Sequence, residues 1–124
     1  MQLVTAAIVR DGDTVMVVRR GLGEKLAGHW EFPGGKVEAS ETLQECLERE
    51  MFEELDVVTK VTEVVAISDY RYDNGEIKLV ALETEIVSGD IKLSVHDKVK
   101  WLHPTDILEL KLAPADIAIA QALV

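Results

Sequence analysis

Residues 34–57, GGKVEASETLQECLEREMFEELDV, carry the strongest structural signal in the chain. From Ser40 to about Leu55 the apolar residues recur at intervals of three and four, which is the periodicity of an amphipathic helix. These residues are Leu43, Cys46, Leu47, Met51 and Leu55. Ser40 is a natural N-cap, and Glu41 suits the positive end of the helix dipole in the first turn. The stretch therefore predicts one helix that packs its apolar stripe on a core.

Three glutamates of this helix lie on one side of it. At about 100° per residue, with Glu50 at zero, Glu54 falls at about 40° and Glu53 at about 300°, next to the apolar stripe. Like charges at a partly buried helix edge repel one another and lose hydration, and a divalent cation with oxygen ligands offsets both costs. We therefore predict a Mg²⁺ site. The alternative is a solvated acidic helix with (i, i+4) ion pairs from Arg49 to Glu45 and Glu53.

Two glycines, Gly34 and Gly35, precede this helix. Because they have no side chains, they let the backbone approach a ligand closely, as a metal or phosphate contact from the backbone requires. Their presence favours the metal site over the solvated helix.

The composition of the chain limits its function classes. With 124 residues, 48% of them apolar and 29% charged, it fits one globular domain. No apolar run reaches the roughly 18 residues of a membrane-spanning helix. Thirteen basic and 23 acidic residues give a net charge of −10, which disfavours DNA and anionic membranes as partners and means that an anionic substrate needs a metal. The single cysteine, Cys46, excludes an internal disulfide, so we expect a cytoplasmic protein.

The rest of the chain reads as strands around the central helix; apart from the short segments at 91–93 and 105–110, the order of the elements is β-β-α-β-β-β-α. This order predicts an α/β fold with a mixed sheet and helices packed on it. The expected strands are 3–9, 15–18, 57–72, 77–87, 91–93 and 99–102, with a loop at 19–30, a hairpin turn at 73–75 and helices at 105–110 and from 115 onward. Pro104 and Pro114 suit the first turns of the last two helices.

A family resemblance appears once the spacing of these residues is considered. Five residues separate Gly35 from Glu41, seven separate Glu41 from Arg49, and the run continues as REMFEELDV to Val57. This pattern resembles the Nudix box, the phosphate-processing motif of Nudix hydrolases. One position departs, because Asp56 stands where the family usually has a helix-ending glycine. Aspartate is among the few residues that tolerate a left-handed conformation, so we expect the helix to end there all the same.

The resemblance extends beyond the box. Residues 30–36, WEFPGGK, resemble the approach to the box in the MutT branch, and residues 112–117, LAPADI, are similar to the tail of bacterial CTP pyrophosphohydrolases within that branch. The resemblance implies a single Nudix hydrolase domain over residues 1–124, with the box at 35–57. It also implies the Nudix fold, a mixed β-sheet sandwiched between α-helices in an α/β/α arrangement.

The activity implied by the resemblance is hydrolysis of a nucleoside triphosphate to a monophosphate and pyrophosphate. Mg²⁺, with Mn²⁺ as an alternative, would act as Lewis acid, substrate template and activator of the attacking water. The implied metal ligands are Glu50, Glu53, Glu54 and the carbonyl of Gly34. Nucleotides would be the partners, without DNA or a membrane, and the chain would act as a monomer or homodimer.

Other residues acquire roles from the same resemblance. Arg49 would orient the carboxylates through ion pairs, with Glu41 as its partner. Lys36 and Arg20 match basic positions that contact the substrate. Arg19 competes with Arg20, because adjacent strand residues face opposite ways and only one of them can face a cleft.

The general base is open at this stage. Related enzymes often carry a glutamate in the loop before the tryptophan that corresponds to Trp101, but Val95 occupies that position here. Asp97 or His96 would substitute, or Glu53 would serve from the helix. His96 by itself is more typical of a surface loop, so the expected catalytic residues are Glu53, Arg49, Lys36 and Asp97.

Asp116 is the expected nucleobase contact. The matching position in the MutT branch is an asparagine, which both donates and accepts hydrogen bonds, whereas an ionised aspartate only accepts. An acceptor would favour the amino group of cytosine, so the sequence points to (d)CTP or a 5-modified cytidine nucleotide. The alternatives are an 8-oxo-dGTP diphosphatase and a nucleotide-binding sensor without catalysis, and a further alternative is that Asp116 only stabilises the start of the last helix.

Overall fold

The computed structural model describes all of residues 1–124 and contains six strands and three helices. Their order along the chain is β-β-β-α-β-β-β-α-α. The elements are β1 (Gln2–Asp11), β2 (Thr14–Arg20), β3 (Trp30–Glu31), α1 (Leu43–Leu55), β4 (Val58–Tyr72), β5 (Gly75–Ser88), β6 (His96–Leu102), α2 (Pro104–Ile107) and α3 (Pro114–Leu123). None of the helices has the length and apolar character needed to cross a bilayer.

The strands form one mixed sheet in the order β3-β2-β1-β5-β4, with β6 paired to β2 outside this path. β1 and β5 run parallel, and the other neighbours are antiparallel. β1 pairs with β2 only at its far end, at Arg10 and Asp11. Its first half is instead hydrogen-bonded to residues 33–37, because the amides of Thr5 and Ala7 donate to the carbonyls of Gly35 and Pro33. This arrangement places the glycine loop against the middle of the sheet.

The core is divided between the two faces of the sheet. On one face α1 contributes Leu47, Met51 and Leu55 to a cluster with side chains of β1, β2 and β5. On the other face α2 and α3 contribute Ile107 and Ile119 to a second cluster. Helices thus cover both faces, and the predicted α/β/α sandwich is confirmed.

The helix in the box begins two residues later than expected. Thr42, not Ser40, is the N-cap: its hydroxyl accepts a hydrogen bond from the amide of Glu45, and the Glu45 carboxylate accepts one from the amide of Thr42. Only Thr42 has a glutamate three residues on, which the reciprocal bond requires. Ser40 instead has a φ of +70°. At the other end Asp56 adopts the expected left-handed conformation, with a φ of +59°.

Three short segments also differ from the expectation. Residues 91–93 form no strand, because the amide of Lys92 donates to the carbonyl of Leu55 at the end of α1. The segment around Trp30, expected as loop, contains β3, which is held between β2 and the chain at 111–113. The structure of these two segments depends on backbone hydrogen bonds to distant residues, which the local sequence does not indicate. The expected helix at 105–110 is a single turn, Pro104–Ile107.

Candidate active site

The glycine loop packs too closely for any larger residue. A Cβ at Gly34 would lie 2.0 Å from the carbonyl oxygen of Thr5, and one at Gly35 would lie 2.3 Å from the carboxyl carbon of Glu50. Such distances are far inside van der Waals contact, so the two glycines bring the loop against both β1 and α1. The sequence predicts a close approach of this backbone to a ligand; what the structure shows is a close approach to protein groups, which brings the loop next to Glu50, the first of the three helix glutamates.

The glutamates of α1 differ sharply in environment. The side chain of Glu53 is 56% exposed, whereas that of Glu50 is 14% exposed. Oε1 of Glu54 is fully buried and has no hydrogen-bond partner. Burial, and then the negative charges of Glu50 and Glu31, raise the pKa of Glu54 to about 8. Burial also raises the pKa of Glu50.

These carboxylates fit a divalent cation by their chemistry. An unpartnered carboxylate oxygen beside a second acidic group costs free energy that a hard cation would offset, and oxygen donors are what Mg²⁺ prefers. No three acidic, histidine or cysteine side chains converge into a ready-made metal site, however. Glu50 and Glu53 both turn toward Arg49, so completing the site requires rotation of at least one of their side chains.

Arg49 is the centre of the ion-pair network. It binds Glu41 through two nitrogens, at 2.7 and 3.0 Å, Glu50 at 2.8 Å and Glu53 at 3.3 Å. Its hydrogen bonds lower the pKa of Glu41 to about 2. These contacts are those expected for an arginine that orients the box glutamates. The alternative pair between Glu45 and Arg49 does not form, because Glu45 caps the helix.

A second polar cluster lies beside the glutamates and centres on Glu31. Arg20 Nε lies 2.9 Å from Oε1 of Glu31, and His96 Nε2 lies 2.9 Å from its Oε2. Asp116 and Glu54 are both close enough to interact electrostatically with Arg20 and with Glu31. The expectation that His96 is a surface loop residue is wrong, since its side chain is 1% exposed.

Glu31 was not singled out by the sequence patterns. It stands between Trp30 and Phe32, both of which are buried in the core on the α3 side of the sheet. Because strand side chains alternate, a charged residue between two core aromatics must point to the opposite face. That alternation is a signal that could have identified it.

The two adjacent arginines separate as strand alternation requires. Arg20 turns to Glu31 and is also close enough to Glu54 and Asp116 for their charges to raise its pKa. Arg19 turns the other way and forms two hydrogen bonds with Asp97, at 2.8 and 3.0 Å. Of the two, Arg20 is thus the residue beside the carboxylates.

Asp97 and Lys36, the remaining expected catalytic residues, are both exposed. Both oxygens of Asp97 are engaged by Arg19, which lowers the pKa of Asp97, and none of its hydrogen bonds reaches α1 or Glu31. The carbonyl of Lys36 accepts a hydrogen bond from Arg49, while its side chain makes no ion pair. Lys36 therefore presents a free ammonium group next to the box.

Asp116 is buried at the start of α3 and does not cap it. The N-cap of α3 is Ala113, without a side-chain hydrogen bond, and Oδ2 of Asp116 instead accepts one of 3.0 Å from the amide of Phe32. Burial, and then the charge of Glu31, raise the pKa of Asp116 to about 8. The raised pKa favours the neutral carboxyl, which both donates and accepts, whereas the sequence led us to expect an ionised, acceptor-only aspartate.

The sequence is similar to that of known proteins over almost its whole length. Residues 1–123 match the NUDIX domain family. The CTP pyrophosphohydrolase of Escherichia coli K12 is 35% identical over 98% of this chain and 90% of its own length. The protein named "Putative 8-oxo-dGTP diphosphatase 2" of Mycobacterium tuberculosis H37Rv is 34% identical over 93% of this chain and 82% of its own length.

Solved structures show the same fold. The solution structure of the E. coli ORF135 protein superposes with a TM-score of 0.85 at 34% identity, covering 98% of this chain and 87% of that one. The MutT protein of Methanosarcina mazei reaches the same TM-score at 23% identity, covering 98% and 89%. With the box residues gathered on α1 and its loop, and with the family match over almost the whole chain, the protein belongs to the NUDIX domain family and is a Nudix hydrolase.

Proposed function

We propose that this Nudix hydrolase cleaves nucleoside triphosphates to a monophosphate and pyrophosphate with the help of a divalent cation, Mg²⁺ or Mn²⁺. One observation carries the proposal: the buried, unpartnered Oε1 of Glu54 beside Glu50. A family enzyme whose carboxylates were only structural would gain nothing from an acid in that position. Nudix hydrolases generally use divalent metals such as Mg²⁺.

The proposed ligands are Glu50, Glu53, Glu54 and the carbonyl of Gly34. When bound, the cation supplies Lewis-acid activation of the phosphate and of the attacking water. Arg49 holds Glu50 and Glu53 in place through the ion pairs at 2.8 and 3.3 Å. A carboxylate that turned from Arg49 to the cation would remain paired, and Arg49 would keep its two hydrogen bonds to Glu41.

Proton removal from the attacking water is assigned to Glu53. It is the most exposed of the three helix glutamates, and its bond to Arg49 is longer than that of Glu50. Lys36 and Arg20 are proposed to contact phosphate oxygens, Lys36 through its free ammonium group and Arg20 from the strand beside Glu31. Asp97 is the weaker candidate for the base, because Arg19 occupies both of its oxygens and lowers its pKa.

The proposed substrate is (d)CTP or a 5-modified cytidine nucleotide. The neutral carboxyl of Asp116 offers a donor and an acceptor, and cytosine presents the matching pair, an accepting ring nitrogen and a donating amino group. The 35% identity to a protein named CTP pyrophosphohydrolase supports the same assignment.

A second candidate, 8-oxo-dGTP, is kept because of the same neutral carboxyl. An oxidised guanine also presents donors and acceptors, and a protonated aspartate reproduces the donor–acceptor pattern of the asparagine found in the MutT branch. The 34% identity over 93% of this chain to the Mycobacterium tuberculosis protein named "Putative 8-oxo-dGTP diphosphatase 2" supports this candidate.

A panel of normal and modified nucleoside triphosphates, assayed for pyrophosphate release with Mg²⁺, tests the proposal. We expect cytidine nucleotides to rank first by kcat/KM and the chelated enzyme to be inactive. Nucleotide binding without pyrophosphate release from any member would show instead a non-catalytic sensor. The Glu54→Gln variant is the matched negative control, since it replaces one proposed metal ligand that can ionise with an amide of nearly the same shape.

A further inference from the structure

The carboxylate of Glu31 is held on both of its oxygens by side chains from two different strands. Arg20, the last residue of β2, binds Oε1, and His96, the first residue of β6, binds Oε2, both at 2.9 Å. Arg20 and His96 are themselves register partners across β2 and β6. Two donors on one carboxylate leave it a single orientation, whereas one donor would allow it to rotate.

An irregularity in β6 accounts for the position of His96. Lys98 pairs with Arg19 and His96 pairs with Arg20, so Asp97 is an extra residue in the strand. A bulge of this kind redirects the neighbouring side chain, and bulges are over-represented next to active sites. Here His96 is turned inward beside Arg20, while Asp97 projects outward to Arg19.

The held carboxylate belongs to the residue just before the backbone group that binds Asp116, because the amide of Phe32 donates a hydrogen bond of 3.0 Å to Oδ2 of Asp116. The charge of Glu31 acts on Glu54 of α1 and on Asp116 of α3, and both effects raise the pKa of the other acid. Arg20 is the cation that faces all three carboxyls. A small rotation of Glu31 would therefore change its separation from the proposed metal ligands and from the proposed nucleobase contact together.

Packing alone does not explain a histidine in this position. Its Nδ1 is buried without a partner, and its one side-chain hydrogen bond is the bond to Glu31. Burying an unpartnered polar atom costs free energy that a leucine of similar volume would not. What a histidine provides here, and a leucine would not, is the hydrogen bond to Glu31.

We propose that His96 is a positioning residue: its Nε2–H fixes the Glu31 carboxylate beside Arg20, one residue before the Phe32 amide that binds Asp116, and the fixed carboxylate sets the nucleobase selectivity of the site. This inference rests on the proposed function, because it names a determinant of selectivity within the same site. It assigns His96 no contact with the substrate and no proton transfer.

Two substitutions separate positioning from packing. His96→Gln keeps an N–H close to the place of Nε2, and His96→Leu keeps the volume but removes the donor. Selectivity is the ratio of kcat/KM for CTP to that for 8-oxo-dGTP. Loss of a hydrogen bond to a charged group changes such a ratio by about tenfold or more, so we expect that change in His96→Leu and a ratio close to the parent in His96→Gln. His103→Leu, which alters an exposed histidine without a side-chain hydrogen bond, is the control.

A merely structural role would give a different result. If both variants lowered kcat/KM for the two nucleotides by the same factor, or if His96→Leu matched the parent, the proposal would be wrong. Imidazole ¹⁵N NMR of the parent provides a readout without turnover: we expect a protonated, exchange-protected Nε2 whose shift changes in Glu31→Gln. A rapidly exchanging Nε2–H with an unchanged shift would contradict the proposal.

Binding measurements distinguish failure of this inference from failure of the proposed function. The dissociation constants of CMP and 8-oxo-dGMP require no hydrolysis and report base selectivity directly. If the parent binds these monophosphates selectively but hydrolyses no triphosphate, the proposed function is refuted, while the effect of His96→Leu on the binding ratio still decides the role of His96. A parent that binds both with equal affinity would overturn the selectivity proposal itself.

Discussion

Oδ2 of Asp116 accepts a hydrogen bond of 3.0 Å from the backbone amide of Phe32, which ties the first turn of α3 to the chain just after β3. The same residue is buried and has its pKa raised to about 8. A single side chain thus joins the helix to the sheet and carries a carboxyl whose pKa is raised far above its ordinary value. Both properties have measurable consequences.

The stability of the protein should fall as the pH rises from about 4 to 8. An aspartate has an ordinary pKa of about 3.9, so the unfolded chain ionises first, while the folded chain must keep Asp116 neutral up to a pKa of about 8. Folding therefore binds a proton in this range, and the stabilising contribution of the neutral form is lost as the pH increases. The limiting slope for one group is about 1.4 kcal/mol per pH unit.

Asp116→Asn isolates this contribution. The amide cannot ionise and retains an oxygen for the Phe32 amide, so we expect the variant to be more stable than the parent at pH 8 and the difference to shrink toward pH 4. Urea unfolding at several pH values measures it. A difference that is constant with pH would show that Asp116 does not titrate as the structure indicates.

The substrate ranking should respond to the same variant in a pH-dependent way. At pH 7 the asparagine imitates the neutral carboxyl, so we expect the preference for CTP over 8-oxo-dGTP to be preserved within about threefold, whereas Asp116→Ala should remove it. Above pH 8 the parent loses its donor and the asparagine variant does not. The ratio of kcat/KM values across pH, in both proteins, checks this prediction. A ranking that is unchanged in Asp116→Ala would remove Asp116 from the nucleobase site.

The parts of the site that could be predicted from the sequence are those that local periodicity determines. Glu50 and Glu54 share a helix face because of their spacing alone, and Arg49 reaches Glu53 one turn away. The cluster around Glu31 depends instead on strand pairing between distant parts of the chain. Glu31 and His96 are 65 residues apart and meet only because β2 pairs with both β3 and β6.

The start of α1 at Thr42 rather than Ser40 changes the position of Glu41 relative to the helix. With Ser40 as N-cap, Glu41 would have belonged to the first turn of the helix. With Thr42 as N-cap, Glu41 precedes the helix and reaches two nitrogens of Arg49. Two competing hydroxyl residues lie within two positions of each other, so only the reciprocal bond to Glu45 distinguishes them.

The general base can be assigned with two isosteric variants. Asp97→Asn should leave kcat nearly unchanged, because Arg19 already binds both oxygens and the lowered pKa makes Asp97 a poor proton acceptor. Glu53→Gln should lower kcat strongly and remove the loss of activity on the acid side of the pH–rate profile. If Asp97→Asn abolished that acid limb while Glu53→Gln kept it, the two roles would have to be exchanged.

Metal dependence provides the most direct test of the box glutamates, and Glu54 is the residue to change. In Glu54→Gln the buried oxygen without a partner becomes part of a neutral amide, so repulsion from Glu50 and Glu31 is relieved and the fold should be at least as stable as the parent at pH 8. Activity should fall by about a hundredfold or more, because loss of a charged ligand displaces the cation and small displacements are costly.

Mn²⁺ titration followed by water proton relaxation measures metal binding directly. It should show weakened binding in Glu54→Gln and parent-like binding in the control Glu63→Gln, which changes an exposed glutamate of β4. Full activity in the presence of a chelator, or equal Mn²⁺ affinity in the two variants, would mean that Glu54 holds no metal and that its buried carboxyl serves another purpose.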